Sequence, residues 1–174
     1  MSHREVSKYL ARKRPGGGGT DQHWTTFLRN QAKGIVACDF FISVTLTFRV
    51  LYVFVAMEIG SRRILHCNVT AHPTADWTTQ QFREVLDDVH PYKFVLHDHD
   101  SIFSSSLDLT LNDFGVRVLR TAVQAPTANA FCERLIGTIR RECLDFLIPL
   151  TERLCAWLLK NSLRFTIEGV LIPL

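Results

Sequence analysis

The sequence contains no CxxC pair, and its five cysteines (Cys38, Cys67, Cys132, Cys143, Cys155) are odd in number and widely spaced. That argues against a disulfide framework and for reduced, mostly buried thiols in a cytosolic protein. No apolar run reaches the roughly 18–20 residues that a membrane span needs. The opening residues, Met1-Ser2-His3-Arg4-Glu5, form no apolar core of a signal peptide. The last histidine is His99. Nothing downstream therefore completes a zinc hydrolase set begun by His97 and His99, which argues against zinc. An excess of one charge is also missing: the formal net charge is +3.

What is present is a chain of 174 residues, long enough for one domain with a real core. Its charges fall in blocks. Residues 1–34 carry seven Lys/Arg against two acids, residues 35–114 five against ten, and residues 115–174 eight against five. An acidic middle between basic flanks suits a divalent-cation site bordered by surfaces that meet a polyanion.

Residues 1–23 read as an appendage. Arg12-Lys13-Arg14-Pro15 and the glycines that follow make a basic flexible linker, either a disordered arm or one that contacts DNA. Strand-like runs then cover Ile35 to Ile42, Phe48 to Met57 and Ile64 to Thr70, with spacers short enough for an antiparallel meander. Thr74-Ala75-Asp76-Trp77 opens a helix whose apolar positions recur through Val89, and His90-Pro91 stops it. A fourth strand, Tyr92 to His97, follows that helix and is expected to run parallel to the first. A short helix from Leu107 to Phe114, a strand from Val116 to Arg120 and a long helix from about Ala128 to Phe146 complete the order βββαβαβα. That order predicts an α/β layered fold with a mixed five-stranded sheet and flanking helices.

Three carboxylates stand out by context. Asp39 lies inside an apolar strand, Asp98 just beyond one, and Glu133 in the first turns of the long helix. A lone buried acid is usually a hydrogen-bonded structural group, but three in such places point elsewhere. If the first and fourth strands are neighbours, Asp39 and Asp98 face each other near their ends and the helix brings Glu133 across. Hard cations such as Mg²⁺ take a few carboxylates and keep water or phosphate in the other positions. Two such ions serve phosphoryl transfer.

The segments "IVACDFF", "FVLHDHDSIFS" and "GVRVLRTAVQAPTANAFCERLIGTIRRECLDF" resemble the catalytic core of DDE transposases of the bacterial insertion-sequence type, related to retroviral integrases. The resemblance covers roughly residues 24–154. It implies a ribonuclease-H-like fold, Asp39, Asp98 and Glu133 as the catalytic acids, and two Mg²⁺ or Mn²⁺ ions between them. It further implies DNA cleavage and strand transfer by a homo-oligomer assembled on DNA, in the cytoplasm at the nucleoid. Asp98 is the acid that matches in the His97-Asp98-His99-Asp100 run. Asp100 then braces the loop through Ser101 or sits behind the metal ligands.

On the long helix, Asn129, Glu133, Gly137 and Arg140 or Arg141 recur along one line, opposite an apolar stripe of Phe131, Leu135, Ile139 and Phe146 with Cys132, Ile136 and Cys143. Asn129, Arg140 and Arg141 are the candidate DNA contacts, the bland alternative being a solvated helix face. Arg117, Arg120 and Arg134 have no specific assignment, and Trp24, Trp77 and Trp157 read as packing groups.

The chain departs from that family at both ends. Little remains of a helix–turn–helix region, and residues 155–174 lack the family's Tyr-Asn pair and Arg-Pro-His stretch. The expectation is an atypical, frameshifted or truncated tail. Two further readings stand beside the enzyme: a catalytically inactive remnant that binds DNA or assembles, and a ribonuclease-H-like nuclease of cellular function.

Overall fold

A computed structural model describes residues 19–86, 89–98, 102–103, 105–120, 130–145 and 148–169. Helix α1 (Gly19–Gln31) leads through a short 3₁₀ turn (Ala32–Gly34) into β1 (Ile35–Val44), β2 (Val50–Glu58) and β3 (Ile64–Thr70). Then come α2 (Ala75–Val85), β4 (Phe94–His97), α3 (Ser105–Asp113), β5 (Arg117–Arg120) and α4 (Ala130–Ile139). Helix α4 widens into a π-turn at Arg140–Leu144 before α5 (Glu152–Gly169).

The five strands form one sheet in the order β3-β2-β1-β4-β5. Strands β1, β2 and β3 are an antiparallel meander. The helix between β3 and β4 supplies the crossover that a parallel β1–β4 pair requires. β5 adds parallel to β4. The expected mixed sheet and the expected β1–β4 neighbourhood are both present.

Because strand side chains alternate between faces, β1 feeds two cores. Ile35, Ala37 and Phe41 pack with Trp24, Phe27 and Leu28 of α1, with Cys132, Leu135 and Ile139 of α4, and with Cys155 and Leu159 of α5. Val36 and Cys38 pack on the other face with Phe82 of α2 and Leu107 and Leu111 of α3. Leu135 and Leu111 are fully buried; truncating either to alanine is expected to cost about 2–5 kcal/mol.

Several element bounds differ from the expected ones. Helix α1 begins at Gly19, five residues ahead of the expected core start at Trp24, and its Trp24, Phe27 and Leu28 recur at helical spacing and are all buried. Helix α5 occupies the segment read as an atypical tail, and Cys155 and Leu159, one turn apart, are both in the core. Helix α2 stops at Val85 rather than Val89, which stands 90% exposed. Thr74 caps it, its hydroxyl accepting from the Trp77 N–H at 3.2 Å. Trp24 and Trp77 pack as expected, but Trp157 is 60% exposed.

Candidate functional site

The parallel register decides where the first two acids meet. Ala37 pairs with Leu96; two residues further along each chain lie Asp39 and Asp98. Alternation also sets their face. Asp39 shares parity with Ile35, Ala37 and Phe41, and Asp98 with Phe94 and Leu96, all of which pack on the α1/α4/α5 side. Both carboxylates are thus directed toward the face that α4 covers, and both are half-buried. An oxygen of Asp39 accepts the Phe40 N–H at 2.7 Å, which helps fix that carboxylate.

Glu133 arrives from the first turn of α4 and is solvent-exposed, not turned into the core. Its neighbour Cys132 is fully buried beneath it. The Cys132 thiol is pushed well up, by burial first and then by the charges of Asp39, Asp98 and Glu133. Glu133 is the next residue along the chain, so its effect is that of a neighbour; the effects of Asp39 and Asp98 reflect the packing of α4 on the side of the sheet toward which they are directed. Burial likewise pushes Cys38 up, with Cys132, Asp39 and Asp98 adding to it. Both sulfurs therefore stay protonated, and oxygen is the available donor. Among the described residues, no three His, Cys, Asp or Glu side chains draw together as a ready-made metal shell. An open set of carboxylates still fits a hard divalent ion, which takes few protein ligands and completes its shell with water and phosphate.

His97 has a role that its sequence context does not reveal. It lies on the opposite face from Asp98, only 1% exposed. Its Nδ1 is 2.6 Å from the Asp98 carbonyl oxygen, its Nε2 is 3.0 Å from an Asp108 oxygen on α3, and its ring stacks on Phe103 at 4.5 Å. A carbonyl oxygen can only accept, so Nδ1 donates to it. The ring therefore clamps the backbone at Asp98 to α3. No spacing rule links His97 to Asp108 across the intervening loop.

The candidate DNA contacts divide. Arg140 is already engaged, donating to the Ile42 carbonyl at 3.3 Å and lying over the Phe41 ring at 5.6 Å. Arg141 is exposed and donates to the Thr138 hydroxyl at 3.4 Å. A Cβ at Gly137 would meet the Arg141 guanidinium at 3.5 Å, an ordinary contact. Asn129, Asp100 and Phe146 lie outside the described residues.

No protein-family model matches the chain, and no curated protein matches it. Solved structures do. A chain of the simian T-cell lymphotropic virus intasome, in complex with PP2A regulatory subunit B56 gamma, superposes with a TM-score of 0.66 at 12% identity. The match covers 80% of this chain and 50% of that one, so this chain spans half its length. The catalytic core domain of BIV integrase superposes with a TM-score of 0.60 at 12% identity, over 80% of this chain and 88% of that domain. The fold is that of an integrase catalytic core. At this identity the likeness speaks for the ribonuclease-H-like architecture alone. In that sheet Asp39 and Asp98 each lie two residues beyond the paired Ala37 and Leu96.

Proposed function

We propose that the chain is the catalytic core of a DDE-type transposase or integrase, of the bacterial insertion-sequence kind, which cleaves DNA and transfers strands. The observation that supports this reading is the parallel β1–β4 register, which sets Asp39 and Asp98 each two residues beyond the Ala37–Leu96 pair, with Glu133 on α4, a helix that packs against β1 in an integrase-like fold. Asp39 and Asp98 would hold divalent ions, Mg²⁺ or Mn²⁺, with Glu133 closing the site from α4. When bound, a pair of such ions supplies activation of an attacking oxygen and stabilisation of a leaving one.

The chain's own residues do the positioning. Strands β1 and β4 fix two carboxylates on rigid backbone, and His97 holds the Asp98 backbone in place. The exposed position of Glu133 leaves the site open to a phosphodiester. Water, and then a DNA 3′-hydroxyl, would attack that phosphodiester in line, without a covalent enzyme intermediate. Terminal DNA sequences and a homo-oligomer assembled on them belong to the same proposal. Among the described residues no helix is long and apolar enough to cross a membrane.

The test is divalent-ion-dependent nicking and joining of DNA by the wild-type chain and by Asp98→Asn. The reading predicts loss of both activities in a variant that still melts as the wild type does; retained activity removes Asp98 from the mechanism. A second reading draws on the open arrangement of the acids, in which no metal shell is preformed among the described residues. In that reading the chain binds DNA as an inactive remnant, and a metal titration yields binding without nicking.

A further inference from the structure

An open groove of about 980 Å³ lies beside the start of α4. Among the described residues, its lining includes Arg29, Lys33, Arg62, Lys93 and Arg134, and no aspartate or glutamate. The five cations come from five places: the end of α1, the 3₁₀ turn, the β2–β3 turn, the entry to β4, and α4. Four of them, Arg29, Lys33, Lys93 and Arg134, are solvent-exposed, and none of these four has a carboxylate within ion-pair distance among the described residues.

The backbone beneath the cations is stitched together. The Gly60 N–H donates to the Ala32 carbonyl at 2.9 Å and the Lys93 N–H to the Gly34 carbonyl at 2.8 Å. Gly60 leaves no room for a side chain, since a Cβ there would stand 2.9 Å from the Lys33 nitrogen. On the α4 side, Arg62 lies over the Phe131 ring at 6.0 Å. Like charges gathered on a rigid frame repel one another, and a polyanion laid along them relieves that repulsion. The cations come from five separate segments around a space of about 980 Å³, far larger than one small anion fills, which suits a repeating phosphate chain better.

We infer that this groove binds the phosphodiester backbone of DNA, at a surface separate from the carboxylate site but sharing α4 with it. Glu133 serves the acidic site, and Phe131 and Arg134 serve the groove. Naming the polyanion as DNA rests on the proposed function; the basic groove itself does not.

The experiment measures binding of a short fluorescein-labelled DNA duplex by anisotropy, with EDTA present, over a series of salt concentrations. The variant is Lys33→Gln/Lys93→Gln/Arg134→Gln, all at exposed positions, with circular dichroism melts to confirm the fold. The slope of log affinity against log salt should flatten by about 2.7, at about 0.9 for each duplex phosphate that the variant no longer neutralises. A control, Arg83→Gln/Arg153→Gln, should leave the slope unchanged. Unchanged binding in the groove variant overturns the inference, as does an equal loss in the control. Intact DNA binding with lost self-association in sedimentation also overturns it, in favour of a second copy of the chain. Groove-dependent binding without nicking under any metal sinks the catalytic reading and keeps the groove. Nicking by a groove variant that binds like the wild type does the reverse.

Discussion

Replacing His97 with phenylalanine tests whether the clamp behind Asp98 matters. Phenylalanine keeps an aromatic ring against Phe103 but removes both polar contacts, at 2.6 Å to the Asp98 carbonyl and at 3.0 Å to Asp108. The first is a buried hydrogen bond of about 1 kcal/mol, and the second, to a carboxylate, contributes about 1.5–3 kcal/mol. The expected loss is about 2–4 kcal/mol, or roughly 4–16 °C in melting temperature for a chain of this size. Urea denaturation of His97→Phe, Asp108→Ala and the double variant gives the coupling between the two side chains. It should reach at least about 1 kcal/mol, within the usual range for groups in contact. A His97→Phe protein as stable as the wild type, with no coupling to Asp108, would refute the clamp. Metal-dependent nicking, measured where the variant is still folded, should fall as well, because the Asp98 backbone loses its tie to α3.

Other consequences are independent of that clamp. Burial pushes Cys67 up to about 12, with Cys155 and Cys143 adding to it, and burial pushes Cys155 up to about 11. Thiols raised in the fold ionise first in the unfolded chain, near pH 8.5. Their contribution to stability is whole below that pH and is lost as pH rises toward 11 and 12. The urea midpoint should therefore fall with alkalinity, and less steeply in Cys67→Ser/Cys155→Ala. At neutral pH the four buried cysteines, Cys38, Cys132, Cys143 and Cys155, should resist a thiol reagent until guanidinium is added. Gly60→Ala should destabilise by about 1–3 kcal/mol, because the new Cβ meets the Lys33 backbone and has nowhere to move; a thermal melt checks it.

Much of the sheet is legible in the sequence because its strands are long apolar runs. Ile64–Thr70 has the same bounds in sequence and structure. The parallel β1–β4 pairing follows from a helix lying between β3 and β4, and the buried stripe of α4 from the spacing of Cys132, Leu135 and Ile139. Helix α1 is hidden by the glycines before it and by the polar residues between Trp24 and Leu28. Helix α5 is hidden because its segment lacks the family's pattern, and the one-turn spacing of Cys155 and Leu159 is a weak signal by itself. The acids are visible as carboxylates in apolar context, but their shared face needs the register. The His97–Asp108 contact and the basic groove are not legible, because each joins residues from elements that only the fold brings together.

The most direct test of the carboxylate site is anomalous diffraction from crystals of the chain soaked in Mn²⁺. The account predicts a peak held by Asp39 and Asp98, with Glu133 drawn in from α4. Manganese bound elsewhere, with no peak between those two aspartates, would contradict it.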